Sequence, residues 1–199
     1  MRTKLHSARA MHTLLLVGLL AGGWARALPG QGLANQSQPK ADPGFEEFLD
    51  RVNTYVRLHN SLDSTLPKLK TTDRPEVITA HERALAIKIG EARPTARPGD
   101  IFTRRARIAF RRAIRSEFQG SDGNAARTTI RQGEPLKEIH LRPNEIYPEG
   151  APFTTVPPTL LLKFPKLPDT VAYRIVGRDL VLLDVKGNVV VDVMHEAIP

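Results

Sequence analysis

The chain has 199 residues, of which 41% are apolar and 25% charged, and its formal net charge is +8. This composition lies near the globular average, so it excludes a wholly disordered, collagenous or multi-span membrane chain. The sequence contains no cysteine, which excludes disulfides, thiolate metal sites, iron–sulfur clusters and cysteine nucleophiles. The length fits one domain of ordinary size.

Residues 1–27 are typical of a secretory signal peptide. Basic residues precede an apolar run at 13–25, which is shorter than the roughly 20 apolar residues that span a bilayer. Ala25 and Ala27 provide small side chains at the two positions that a signal peptidase reads, so we predict cleavage after Ala27. The alternative is an uncleaved membrane anchor. Cleavage would leave 25 basic and 21 acidic residues in 28–199, a net charge of +4.

The next segments predict a flexible lead followed by a helical body. Residues 28–42 are polar and rich in Gly, Pro and Gln, which is typical of a flexible segment. Residues 43–133 show the helical periodicity of apolar residues. Asp73 and Glu76 frame a capping-box pattern, and Gly120 is a natural helix stop. The predicted helices run over 43–66, from 73 to before 94, from after 100 to 120, and over 124–132.

The C-terminal half predicts a strap and a small sheet. Residues 134–168 hold eight of the 16 prolines, so we predict no persistent helix there. Their apolar content indicates an extended strap packed into grooves of the body, with a strand at Thr159–Phe164. Residues 169–199 predict a three-stranded antiparallel meander. Its last two strands are apolar at nearly every position, and such strands need cover on both faces. The predicted strands are 171–176, 179–183 and 188–193.

These elements predict one α+β domain over 43–199. It comprises a three- or four-helix N-terminal body (43–133), a proline-rich extended strap (134–168) and a small C-terminal antiparallel β-meander (169–199). The helices would cover one face of the sheet. The strap, or a second subunit, would cover the other.

The third predicted helix carries an unusual concentration of arginine. Residues 83–131 hold 12 basic and four acidic residues, a net charge of +8. At helical spacing the arginines occupy one arc, opposite an apolar Phe/Ala face. The candidate anion-binding residues are Arg104, Arg105, Arg107, Arg111, Arg112 and Arg115.

Three interpretations of this arginine cluster compete. The side chains are solvated, or they pair with acids of the first helix such as Glu46, Glu47 and Asp50. Alternatively they bind an anionic component of the cell envelope or an acidic protein, since guanidinium groups pair with phosphates and carboxylates in a forked geometry. Nucleic acid is the least favoured partner of the three, because an exported protein rarely meets it and the helix lacks exposed aromatics for stacking.

Metal binding and catalysis have weaker support. His59 and Asp63 lie four residues apart on the first helix, and His81 could add a ligand, but this set lacks the paired spacing of strong zinc motifs. His59 also fits a core histidine. We find no catalytic motif, so we predict no catalytic residue and no cofactor. Asp184 and Asp192 lie in apolar strands, where we expect a turn residue and an edge-facing residue.

Part of the sequence resembles a family of small exported bacterial proteins that are known only as hypothetical. The likeness rests on the segment YRIVGRDLVLLD at Tyr173–Asp184 and on Val190–Val193. Segments at Gly99–Phe102, Val156–Leu161 and Ala197–Pro199 are also similar to that family. The resemblance implies a periplasmic or secreted protein and carries no known activity or site residue.

We therefore expect a non-enzymatic exported interaction or accessory protein with an anion-binding arginine helix. The alternative is a homo-oligomeric structural protein that assembles through its C-terminal strands. A metal-binding or hydrolytic protein is the third possibility.

Overall fold

The structure, a computed structural model, describes residues 42–69, 74–120, 123–132, 139–148, 150–151 and 154–199. The predicted signal peptide and nearly all of the predicted lead lie outside the described residues. Residues Pro39–Pro199 form one compact unit. The described elements are α1 Pro43–Asp63, α2 Pro75–Ala92, α3 Arg104–Gln119, α4 Gly123–Gln132, α5 Pro158–Leu161, β1 Val171–Val176, β2 Asp179–Asp184 and β3 Val189–Met194.

The predicted α+β class is confirmed, with four helices ahead of the strap and the sheet at the C-terminal end. Helix α3 begins after Thr103, whose side chain accepts a hydrogen bond from the backbone N–H of Ala106, and it ends at Gly120 as predicted. The N-cap of α2 is Arg74, which makes no side-chain cap. Asp73, the predicted cap, lies outside the described residues.

The predicted strand at Thr159–Phe164 is wrong, and so is the expectation that the strap holds no helix. The chain forms the short helix α5 there, with Pro158 at its first position. Proline is tolerated at that position because the first N–H groups of a helix have no intrahelical partner. A Leu-rich run of this length fits a strand and a buried helical turn equally well, so its composition did not decide between them.

The sheet is an antiparallel meander in the order β1-β2-β3. The strands match the predicted ranges to within one residue. Leu180 and Leu182 of β2 belong to the cluster formed with the helices, whereas Val181 and Leu183 belong to a second cluster. Both faces of the sheet are therefore buried, as the continuous apolar sequence of β2 and β3 requires.

The strap covers the second face and both edges of the sheet. Leu141 and Tyr147 pack in the second cluster. At one edge the backbone of Thr154 pairs with Ile175 of β1, and at the other the backbone of residue 146 pairs with β3. Pairing at both edges satisfies backbone groups that would otherwise template association with another chain. The sequence predicts that either the strap or a second subunit covers the second face of the sheet. In the structure the strap of the same chain covers it.

An aromatic cluster joins α1 to α3. The ring of Phe48 lies 5.2 Å from that of Phe102 and 4.9 Å from that of Phe110, and all three residues have no solvent exposure. The helices touch closely where Gly44 meets α3, because a Cβ at Gly44 would lie 2.6 Å from the carbonyl oxygen of Arg105. These contacts fix which side of α3 faces the core.

The carboxylate of Asp192 anchors the loop that leads into α3. Its Oδ2 accepts hydrogen bonds from the backbone N–H groups of Ile101 and Phe102, at 2.7 and 2.6 Å. Its Oδ1 accepts from the N–H groups of Gly99 and Val193, at 2.8 and 2.7 Å. The side chain is fully buried, so the expectation that Asp192 faces an edge is wrong. Burial raises the pKa of Asp192, and the four N–H donors oppose that shift.

We predict that Asp192→Asn lowers the free energy of unfolding by about 2 kcal/mol or more, because an amide accepts at one oxygen only and leaves backbone donors unpaired in the core. Urea denaturation of the two proteins measures the difference. The control is Asp169→Asn, at an exposed position, for which we expect a change within about 0.5 kcal/mol. Equal effects of the two substitutions would contradict the anchoring role.

Candidate anion-binding surface

Helix α3 turns its six arginines to solvent. Its opposite side is buried and includes Ala106, Phe110 and Ile114. The separation follows from the sequence, in which apolar and basic residues alternate with the helical period. We name this surface the arginine face; its members Arg104, Arg105, Arg107, Arg111, Arg112 and Arg115 are all exposed.

Two of the six arginines pair with acids near the start of the helical body. The Nη1 atom of Arg112 lies 2.8 Å from Oδ2 of Asp42, and the Nε atom of Arg105 lies 3.9 Å from Oε2 of Glu47. The arginine side chains are 72% and 69% exposed, and exposed pairs contribute about 0–1 kcal/mol. Pairing with Asp42 and Glu47 therefore neutralises only part of the face.

The other four arginines, Arg104, Arg107, Arg111 and Arg115, form no ion pair with any acid in the described part of the chain. At 100° and 1.5 Å per residue they fall within an arc of about 80° and along about 16 Å of the helix. They therefore form one strip of guanidinium groups rather than a scatter of charges. Of the acids expected as partners, Glu46 and Asp50 make no ion pair with described residues.

An apolar side chain lies beside this strip. Ile108 falls between the strip and Arg112 within the wider arc of all six arginines, and it is 53% exposed. Together with Arg111, Arg112 and Arg115 it lines an open groove of about 470 Å³. A shallow groove of this kind suits an extended partner better than a small molecule, which binds in an enclosed pocket. Sequence reasoning missed Ile108, although its position follows from the helical period.

The one acid of α3 faces inward and holds α5 against the helix. Glu117 is 4% exposed, and its Oε1 accepts a hydrogen bond from the hydroxyl of Thr159. Its Oε2 lies 2.9 Å from Nζ of Lys163. Hydrogen bonds from Thr159 and Lys163 lower the pKa of Glu117 against the opposing effect of burial. The charge of Glu117 is thus balanced inside the protein and does not offset the arginine face.

The weak metal candidates His59, Asp63 and His81 do not converge on one point. The Nδ1 atom of His59 lies 2.5 Å from Oδ2 of Asp184, whereas His81 binds Asp63 at 2.9 Å. Within the ranges that the structure describes, no group of three or more His, Cys, Asp or Glu side chains is arranged to hold a metal ion. His59 is therefore a core histidine bonded to a neighbour.

Asp184 is both a turn residue, as expected, and a buried link to α1. Its Oδ1 accepts from the backbone N–H groups of Lys186 and Gly187, and its Oδ2 accepts from the hydroxyl of Tyr55 at 2.6 Å. Burial, and then the charge of Asp184, raise the pKa of Tyr55, so this hydroxyl stays protonated and donates. The partners lie more than 120 residues apart along the chain, and no sequence pattern signals the pairing.

The hydrogen bonds at Asp63 also have a structural role. Asp63 accepts from His81 on α2 and from Nζ of Lys186 in the β2–β3 turn, at 2.9 and 2.6 Å. Burial opposes ionisation, but these two hydrogen bonds lower the pKa of Asp63. The carboxylate thereby joins two helices to the sheet.

Comparisons of the chain with protein-family models, with curated proteins and with solved structures find no match. Among the described residues, no helix has the length and apolar character needed to cross a membrane.

We predict that Glu117→Gln lowers the free energy of unfolding by about 1–2 kcal/mol at neutral pH, because it removes a charged hydrogen bond to Lys163. The folded-state pKa of Glu117 is lowered. The contribution is therefore complete above the unfolded-state value of about 4.3 and is lost as the pH falls through the lower folded-state value.

Urea denaturation over a pH series checks this prediction, with the exposed Glu91→Gln as the control. The difference between wild type and Glu117→Gln should shrink below about pH 4. A difference that stays constant down to the most acid pH would contradict an ionised anchor.

Proposed function

We propose that the protein is an exported, non-enzymatic interaction protein that binds an anionic partner through its arginine face. The observation that carries the proposal is the strip of four exposed guanidinium groups at Arg104, Arg107, Arg111 and Arg115, none of which pairs with an acid among the described residues. Guanidinium groups bind phosphates and carboxylates with two parallel hydrogen bonds. A rigid helix presents four of them to one partner at once.

The wider charge distribution supports this orientation. Residues 83–131 have a net charge of +8, so the remainder of 28–199 has a net charge of −4. A molecule with separated charge turns its positive side toward an anionic surface, and this steering weakens as salt screens the charges. The attraction therefore acts through the arginine face rather than through the net charge of the whole protein.

The place of action follows from the signal-peptide pattern of 1–27 and from the resemblance to exported bacterial proteins. Outside the inner membrane the available anions include phospholipid, phosphorylated glycolipid and acidic protein. The open groove beside Ile108 favours an extended anionic partner over a small enclosed ligand.

The two alternatives have less support. Strands β2 and β3 are apolar on both faces, which is the reason to expect homo-oligomeric assembly through the sheet. In the structure the strap covers both edges and the second face within one chain. A metal-binding or hydrolytic protein would require His59, His81 and an acid in one cluster, and they bond to separate partners. Homo-oligomerisation stays a prediction.

We predict that changing Arg104, Arg107, Arg111 and Arg115 to Gln markedly lowers the salt concentration at which the protein elutes from immobilised heparin. The substitution removes the strip and leaves on the arginine face only Arg105 and Arg112, which pair with Glu47 and Asp42. Exposed positions tolerate such changes, with effects on stability within about 0.5 kcal/mol each. Residues 28–199 contain the compact unit, so this shortened chain is used.

A charge-matched control removes four cations elsewhere: Arg57, Lys68, Arg83 and Arg142, each changed to Gln. All four are exposed, lie outside α3 and form no ion pair with a described acid. The control should elute close to the parent. Equal shifts in the two variants would show that net charge alone drives binding, which would contradict a site on α3.

Export is tested separately. We predict that the full chain, expressed in a Gram-negative host, reaches the periplasm with Leu28 as its N-terminal residue, because Ala25 and Ala27 fit the peptidase. Ala27→Phe should leave the precursor uncleaved, whereas the matched Ala21→Phe, within the apolar run, should not. N-terminal sequencing of the periplasmic fraction measures the outcome. An intact precursor in the cytoplasm would contradict export.

A further inference from the structure

We propose that the anionic partner is the surface of a phospholipid bilayer, and that Leu161 and Leu162 insert into it beside the arginine face. The inference rests on the proposed function, because the arginine face supplies the attraction. It adds a second contact, made by the apolar tip. A soluble anion would bind the arginines but leave these leucines exposed to water.

Leu161 and Leu162 form an exposed apolar tip at the end of α5. Leu162 is 87% exposed and Leu161 is 47% exposed. The residues on either side are anchored, since Leu160 is fully buried and Phe164 is buried in the core cluster. The tip is therefore a short turn held at both ends rather than part of a loose loop. The two leucines are adjacent and so form a small contiguous patch, unlike the single exposed apolar residues that are normal on a protein surface.

The tip borders the arginine face. The Nζ atom of Lys163 lies 3.2 Å from Oγ of Ser116 and 2.9 Å from Oε2 of Glu117. Ser116 in turn lines the same groove as Arg112 and Arg115. One hydrogen bond thus connects the residue after Leu162 to the edge of the arginine surface.

The combination of charges and apolar side chains fits a bilayer. Ile108 adds a third exposed apolar side chain within the arginine arc. The apolar side of α3 is buried in the protein core, so the helix lies on the membrane with its arginines at headgroup level. Headgroup phosphates bind the guanidinium groups, and the acyl region accepts the leucines. A soluble polyanion offers the first of these environments but not the second.

The arginines and the leucines are each expected to change the affinity for vesicles by a measurable factor. Each arginine near an anionic membrane strengthens binding by about fivefold. Burial of an exposed leucine strengthens it by about tenfold or more. The four arginines of the strip and the two leucines therefore each change vesicle binding by more than the error of a sedimentation assay.

The first experiment places a fluorescent reporter at the tip. The single tryptophan of the chain is Trp24, so the chain 28–199 has none. Leu162→Trp therefore provides a unique tryptophan at the tip, and Ile87→Trp provides one at a position on α2 that is 61% exposed. Both proteins are titrated with vesicles of phosphatidylglycerol and phosphatidylcholine, and with vesicles of phosphatidylcholine alone.

We expect the emission of Leu162→Trp to shift to the blue with the anionic vesicles and to be quenched by lipids labelled in the acyl chain. The emission of Ile87→Trp should not change, and phosphatidylcholine alone should change neither. An unchanged emission of Leu162→Trp while the protein co-sediments with anionic vesicles would overturn insertion of the tip.

The second experiment measures the contribution of the leucines without a reporter. Leu161 and Leu162 are changed together to Ser, and the matched control changes Ile78 and Ile87, which are also exposed, to Ser. We expect the tip variant to lose at least tenfold in affinity for anionic vesicles and to keep its elution from heparin. Equal losses in the tip variant and the control would overturn the proposal.

The two assays separate this inference from the proposed function. If the parent binds heparin through α3 but not anionic vesicles, the bilayer inference fails and the proposed function stands, with phosphorylated glycolipid and acidic protein as the remaining partner classes. If the parent binds neither, both fail. Vesicle binding that depends on the four arginines and on Leu161 and Leu162 supports both.

Discussion

The buried carboxylate of Asp192 is the constraint on which the placement of α3 depends. The loop before α3 presents N–H groups at Gly99, Ile101 and Phe102, and a single side chain from β3 accepts all three. Without that acceptor, buried donors would be unpaired in the core, which costs about 1–3 kcal/mol each. Arg51 on α1 adds a hydrogen bond to the carbonyl of Asp100. The first turn of α3 is therefore held from the sheet and from α1.

Because α3 is held in place, its exposed arginines keep fixed backbone positions relative to one another. Arginine side chains are flexible, but their backbone positions are set by the Asp192 anchor and by the contact of Gly44 with α3. The four arginines of the strip carry like charges that repel one another. Water and dissolved salt screen this repulsion in the free protein. An anionic surface relieves the repulsion. In the proposed complex, relief of this repulsion would contribute to the binding free energy.

The sequence predicts correctly those elements that depend on local patterns of residues. The arginine face follows from a period of 3.6 residues, and the three strands follow from β-branched and Leu-rich runs between turn residues. Gly120 ends α3 as its position suggests. The links that join the elements were not predictable. His59 bonds to Asp184 across 125 residues and Asp192 bonds to a loop about 90 residues away, and no local period encodes such pairs. The segment at α5 was misassigned because a Leu-rich run lacks a distinguishing period.

Glu117 connects the charge of α3 with the position of the apolar tip. It is the only acid within Arg104–Gln119, so an outward-facing Glu117 would place a negative charge among the arginines of α3. Instead it is buried and accepts from Thr159 and Lys163 on either side of Leu161 and Leu162. The interaction that anchors the leucines beside α3 therefore also removes the one negative charge of the helix from its surface. Glu117 thus supports both parts of the proposed membrane surface, the arginine face and the apolar tip.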